Sequence, residues 1–92
     1  MVSPRFREPI HPGEVLLTEF LAPRRLTRGT LASELGITRQ HVATLVRGER
    51  AVSAMLALLL ARFFETSPEF WMNLQTQHDL WMADRALAAR EK

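Results

Sequence analysis

Apolar residues recur along this chain at three- and four-residue steps, with polar residues between them, and no stretch alternates as a strand does. The pattern predicts five helices and an all-α fold. His11-Pro12-Gly13-Glu14 opens the first, with proline and an acid in its first turn. Val15, Leu16, Phe20 and Leu21 form its buried stripe, and Pro23 is expected to stop it. Thr27 caps the second helix, which runs through Leu31, Ala32 and Leu35 to Gly36. Gly29 lies inside that helix and should weaken it. Thr38 caps the third, which carries Val42, Leu45 and Val46 and stops at Gly48. Ser53 caps the fourth, rich in leucine and alanine and ending near Phe64 and Glu65. Ser67-Pro68-Glu69 starts the fifth, which meets no proline or glycine up to Lys92. Fully helical, it would be roughly 34 Å long. Its apolar residues Phe70, Trp71, Leu74, Leu80 and Trp81 are expected mainly on one face. Residues 1–10 hold Pro4 and Pro9 without periodicity. They read as an N-terminal arm ahead of one domain over 11–92.

The second and third predicted helices have the pattern of a helix-turn-helix over residues 28–47, RGTLASELGITRQHVATLVR. Two short helices that cross steeply need a small residue where they touch, and Ala32 supplies it. The turn needs a residue tolerant of the left-handed conformation, and Gly36 supplies that. Leu31, Leu35, Ile37, Val42 and Leu45 point both helices inward. The second helix of such a unit usually lies in the major groove of DNA.

Net charge is only +2, but its distribution is uneven. Arginines 24, 25, 28, 39, 47 and 50 face only Glu34 and Glu49 in the middle of the chain, whereas acids prevail from Glu65 onward. The motif is therefore the basic part, as a DNA-facing surface requires. The chain has no cysteine, which excludes disulfides and thiolate metal sites. His11, His41 and His78 lack a ligand spacing, so no metal and no cofactor is expected. The longest apolar run, residues 54–61, is too short to span a bilayer. With no signal-peptide stretch at its start, the chain reads as soluble and cytoplasmic. No nucleophile–base set or glycine-rich phosphate loop is visible, so an enzyme is not expected.

With Val42 and Leu45 inward, helical geometry turns Arg39, Gln40, Ala43, Thr44 and Arg47 outward. Thr38, Arg39, Gln40, His41 and Thr44 are the candidate base readers. Gln40 suits adenine N6 and N7, and Arg39 suits guanine O6 and N7, each bidentate contact giving roughly 1–3 kcal/mol of discrimination. Thr27 and Arg28 at the start of the second helix, and Arg47 and Arg50 around Gly48, are candidate phosphate contacts. One recognition helix reads only a few base pairs, so a homodimer with two of them is expected. Leu74, His78 and Trp81 on the last helix are its candidate interface, with Trp71 in the core.

The chain resembles the HigA antitoxins, also called the VapI group, of the lambda-repressor-like helix-turn-helix superfamily. The stretches that carry the resemblance are HPGEVLLTEFLAP at 11–23, LASELGITRQHVATLVRGERAVS at 31–53 and LARFFETSPEFWMNLQTQHDLW at 60–81. The resemblance implies a five-helix lambda-repressor-like DNA-binding domain with a long C-terminal helix. It also implies a homodimer that binds a palindrome in its own promoter and neutralises a ribonuclease toxin of the HigB type. Two features depart from the family. Glu65 stands where the family commonly ends its fourth helix with glycine. Met55, Leu56 and Leu59 stand where that helix often shows polar residues. Those three either widen the buried stripe or join a subunit or toxin interface. A regulator without a toxin, or an interaction module that has lost DNA binding, are the alternative functions.

Overall fold

The structure, a computed structural model, describes residues 8–91. The first seven residues of the expected arm and Lys92 lie outside them. Among the described residues there are five helical stretches and no strand. The first, α1, covers residues 12–24: α-helical over Pro12–Val15, π over Leu16–Leu21 and α-helical again over Ala22–Arg24. The others are α2 (Arg28–Leu35), α3 (Arg39–Val46), α4 (Ala54–Phe64) and α5 (Pro68–Arg90).

Four of the five starts rest on the hydroxyl caps read from the sequence. Thr27, Thr38, Ser53 and Ser67 each accept the backbone N–H three residues on, at 3.0–3.1 Å. At the fifth, the Nδ1 of His11 accepts the Gly13 N–H at 2.9 Å. Burial first, and the neighbouring His78 second, hold the His11 pKa below its ordinary value, which favours the neutral ring that can accept through Nδ1.

Pro23 does not stop α1. Proline has no N–H to donate, and the register widens just before it: the Ala22 N–H bonds the Leu17 carbonyl, five residues back. The helix ends two residues later, where Arg25 turns left-handed at φ 53°. Arg24 lies over the rings of Phe20 and Phe64, 5.2 Å from each centroid. Glu65 takes the left-handed position at the end of α4 that glycine would favour, at φ 59°, and the Thr66 N–H then reaches the Ala61 carbonyl at 3.0 Å.

All five helices contribute to one core. Leu16 and Leu21 of α1, Leu31 of α2, Val42 and Leu45 of α3, Leu56 and Leu60 of α4 and Trp71 of α5 meet there. Two faces differ from the sequence pattern. Leu56 is buried, Leu59 is half-buried against the core, and the exposed large apolar residues on α4 are Met55, Leu58 and Phe63. On α5, Trp71 is buried and Leu74 and Trp81 are half-buried, but Phe70 and Leu80 are exposed. Leu80 lies nine residues after Trp71, and nine steps of 100° place it on the opposite side of the helix.

One core polar residue was not foreseen. Gln75 is 5% exposed; its Oε1 accepts the Val52 N–H at 2.8 Å and its Nε2 donates to Asp79 at 2.8 Å. It ties α5 to the loop that follows α3. Gln75→Leu would leave the Val52 N–H buried without a partner and should cost about 1–3 kcal/mol in urea unfolding. A variant as stable as its parent would show that this tie carries no weight.

Candidate nucleic-acid interface

Three apolar residues, Val42, Leu45 and Val46, bury one side of α3. The other side presents Arg39 and Gln40 exposed and His41 and Thr44 half-exposed, with the Thr38 cap exposed at its start. The turn before it is held by Gly36 at φ 71° and by the Ile37 N–H, which bonds the Ala32 carbonyl at 3.0 Å. Local sequence thus settles both the crossing of α2 with α3 and the outward face of α3.

Most of the expected DNA-contacting residues fall into three groups. Thr27, Arg28 and Arg39 line one open groove of about 550 Å³ between α1, α2 and α3. Thr44, His41 and Arg50 form the second group. The Thr44 hydroxyl donates toward the Gln40 and His41 carbonyls, both at 3.0 Å, and accepts from Arg50 Nε at 3.0 Å. Its oxygen is therefore engaged within the protein, which leaves the methyl group as its more available contact. Burial, and then the Arg50 charge, push the His41 pKa down. In the third group, Arg47 Nε pairs with Glu49 at 3.2 Å, both side chains at least half exposed, so the pair is weak and open to exchange. Arg50 is thus drawn onto the outer side of α3, beside a residue read as a base reader. The sequence had no signal for that, because the hydroxyl partner lies six residues back across a loop.

The residues expected at an interface do not share one environment. Met55 is 67% exposed, while Leu59 and Leu74 are packed against the core. His78 meets the ring of His11 edge-on, centroids 4.7 Å apart. Its Nδ1 is buried without a hydrogen bond, 3.8 Å from Asp79 Oδ1. Trp81 carries Arg85 over its ring at 4.7 Å. Beyond it Met82 and Leu87 are each 52% exposed, and neither was singled out in the sequence. The seven-residue step from Leu80 to Leu87 was the available signal. Among the described residues no group of histidines and acids could hold a metal, and no helix is long and apolar enough to cross a membrane.

Residues 17–71 match the family described as Helix-turn-helix. The chain is similar to Antitoxin HigA-1 of Vibrio cholerae, 40% identical over 75 residues that span 82% of this chain and 70% of that protein. Its fold is similar to that of antitoxin HigA of Pseudomonas aeruginosa, solved with the higBA promoter. That match has a TM-score of 0.86 and 40% identity, over 91% of each chain. A third likeness is to antitoxin GraA in complex with its operator: TM-score 0.85, 39% identity, 92% of this chain and 86% of that one. The motif, the outward polar face of α3 and these relatives agree, and the chain belongs to the helix-turn-helix family, in its group of HigA-type antitoxins.

Proposed function

We propose that this chain is a DNA-binding antitoxin. As a homodimer it binds a palindrome in its own promoter, represses its own operon, and neutralises a HigB-type ribonuclease toxin by direct contact. The observation that carries the DNA half is the polar outer face of α3, flanked by arginines, in a chain similar to antitoxins solved with promoter or operator DNA. The toxin half rests on the relatives' names alone. The chain acts by binding and performs no catalysis, and its place of action is the cytoplasm. Residues 11–92 act as one domain.

Gln40 is the adenine reader in this account, and Arg39 the guanine reader. Thr44 meets a thymine methyl with its own, His41 borders the same edge, and the Thr38 cap sits at the base edges. Thr27, Arg28, Arg47 and Arg50 hold the phosphates. The outer half of α5 supports a dimer: Trp81, Leu80, Met82 and Leu87 give it apolar surface that its own core does not cover.

A second reading, an interaction module without DNA, is favoured by one feature, the exposed Met55 and Leu58 on α4. A salt series on the DNA upstream of the chain's own start codon separates the two. The parent protein should bind tightly and lose affinity steeply as salt rises. Arg39→Ala/Gln40→Ala should bind roughly 30-fold or more weakly, because two base contacts are removed. A folded protein without specific binding to that DNA would overturn the self-repressor reading.

A further inference from the structure

Gly29 sits in the first turn of an eight-residue helix, where alanine would favour helix formation more. Its backbone gives no reason for glycine, since the glycines with positive φ are Gly36 and Gly48. Space gives one. A Cβ on Gly29 would stand 2.5 Å from Arg39 Nη2, and 3.1 Å from both Cζ and Nε. Three atoms of the planar group approach at similar distances, so the guanidinium lies across the glycine rather than end-on. Arg39, Gly29 and Thr27 line two grooves together, one with Arg28 and the other with Thr30, Ser33 and Ile37. Arg47 pairs with Glu49 and His78 lies near Asp79, and Arg39 takes part in neither contact. Packing on α2 therefore places the group, and its donors stay open.

We propose that Gly29 is a positioning residue for DNA binding: it seats the Arg39 guanidinium at the junction of α2 and α3, so that the donors meet DNA already oriented. The proposal rests on the DNA-binding reading above. A free arginine side chain must lose its rotamer freedom on binding, and a seated one has lost part of it beforehand. The clash that alanine creates is with the far end of a flexible side chain, so Arg39 moves and the helix does not.

Gly29→Ala, Arg39→Ala and the double variant test this on the DNA upstream of the chain's own start codon. Gly29→Ala should melt no lower than the parent, because alanine suits the helix better. It should nevertheless bind that DNA about tenfold more weakly, the order of one compromised arginine contact. In the Arg39→Ala background the same change should alter affinity by less than about twofold, since contacts already lost cannot be lost again. In the DNA-free protein, the Arg39 Nε–Hε resonance should shift in Gly29→Ala. Parent-like affinity of a folded Gly29→Ala overturns the proposal, and so does an equal loss with and without Arg39. A parent protein that ignores this DNA overturns the DNA reading and the DNA role of the seat together. An unmoved Arg39 resonance overturns the seat itself.

Discussion

Gly13→Ala should lower the melting temperature by roughly 12–24 °C, equivalent to about 3 kcal/mol in a domain of this size. A Cβ at Gly13 would collide with the Leu45 carbonyl oxygen. It would also stand 2.7 Å from the Leu45 carbonyl carbon and 3.1 Å from Val46 Cα. All three are backbone atoms of α3, so no change of rotamer relieves the overlap. The first turn of α1 and the last turn of α3 have to part, and Leu16 and Leu45 lose packing as they do. Because α3 is the candidate recognition helix, the variant should also bind DNA more weakly than its residual stability alone explains. Thermal unfolding followed by circular dichroism checks the first expectation. A Gly13→Ala protein melting within about 3 °C of its parent, less than 1 kcal/mol, would show that α1 does not press on α3 at this point.

Trp71→Ala should remove a large share of the chain's stability and unfold at a far lower urea concentration than the parent. The side chain is completely buried, and its indole N–H donates to Thr66 Oγ1 at 2.8 Å. Its ring meets Phe20 and Phe70 at centroid distances of 5.0 and 5.1 Å. It therefore joins α1 to α5 and holds the start of the long helix against the core. Deleting a buried tryptophan side chain costs about 3–5 kcal/mol. A small domain holds about 5–15 kcal/mol in total, so a loss of this size is a large fraction of it. Trp71→Phe keeps most of the ring and loses the hydrogen bond to Thr66; it should cost less and stay folded. Urea unfolding of both variants by far-ultraviolet circular dichroism ranks them. Equal midpoints for Trp71→Ala and the parent would remove Trp71 from the core.

The helix starts were legible because capping is local. A threonine or serine and the N–H it accepts lie three residues apart, so the signal and the structure occupy the same short stretch. The turn between α2 and α3 was legible for the same reason, through Gly36. Pro23 misled because its missing N–H is accommodated by a change of register in the preceding residues. The outer face of α4 was ambiguous because residues 54–61 are apolar throughout, and periodicity cannot choose a side when every position qualifies. Leu80 was grouped with Trp71 by apolarity, although its angle on the helix sets it apart.

The candidate site divides in the same way. That Arg39 and Gln40 face outward follows from Val42 and Leu45 facing inward, and the sequence contains both halves of that statement. That Arg50 returns to Thr44 across a loop is a non-local contact. So is the guanidinium of Arg39 lying over Gly29, which read only as a weak residue in a helix.

By itself, then, the sequence determined the five helices, the capped turn between α2 and α3, and the polar face of α3. Each is set by residues within about four positions of one another. Only the tertiary structure decided why Gly13 and Gly29 are glycines, why Gln75 is buried, and which leucines of α4 and α5 remain uncovered. Those answers depend on which atoms of one helix approach another, and that distance belongs to packing between elements rather than to spacing within one.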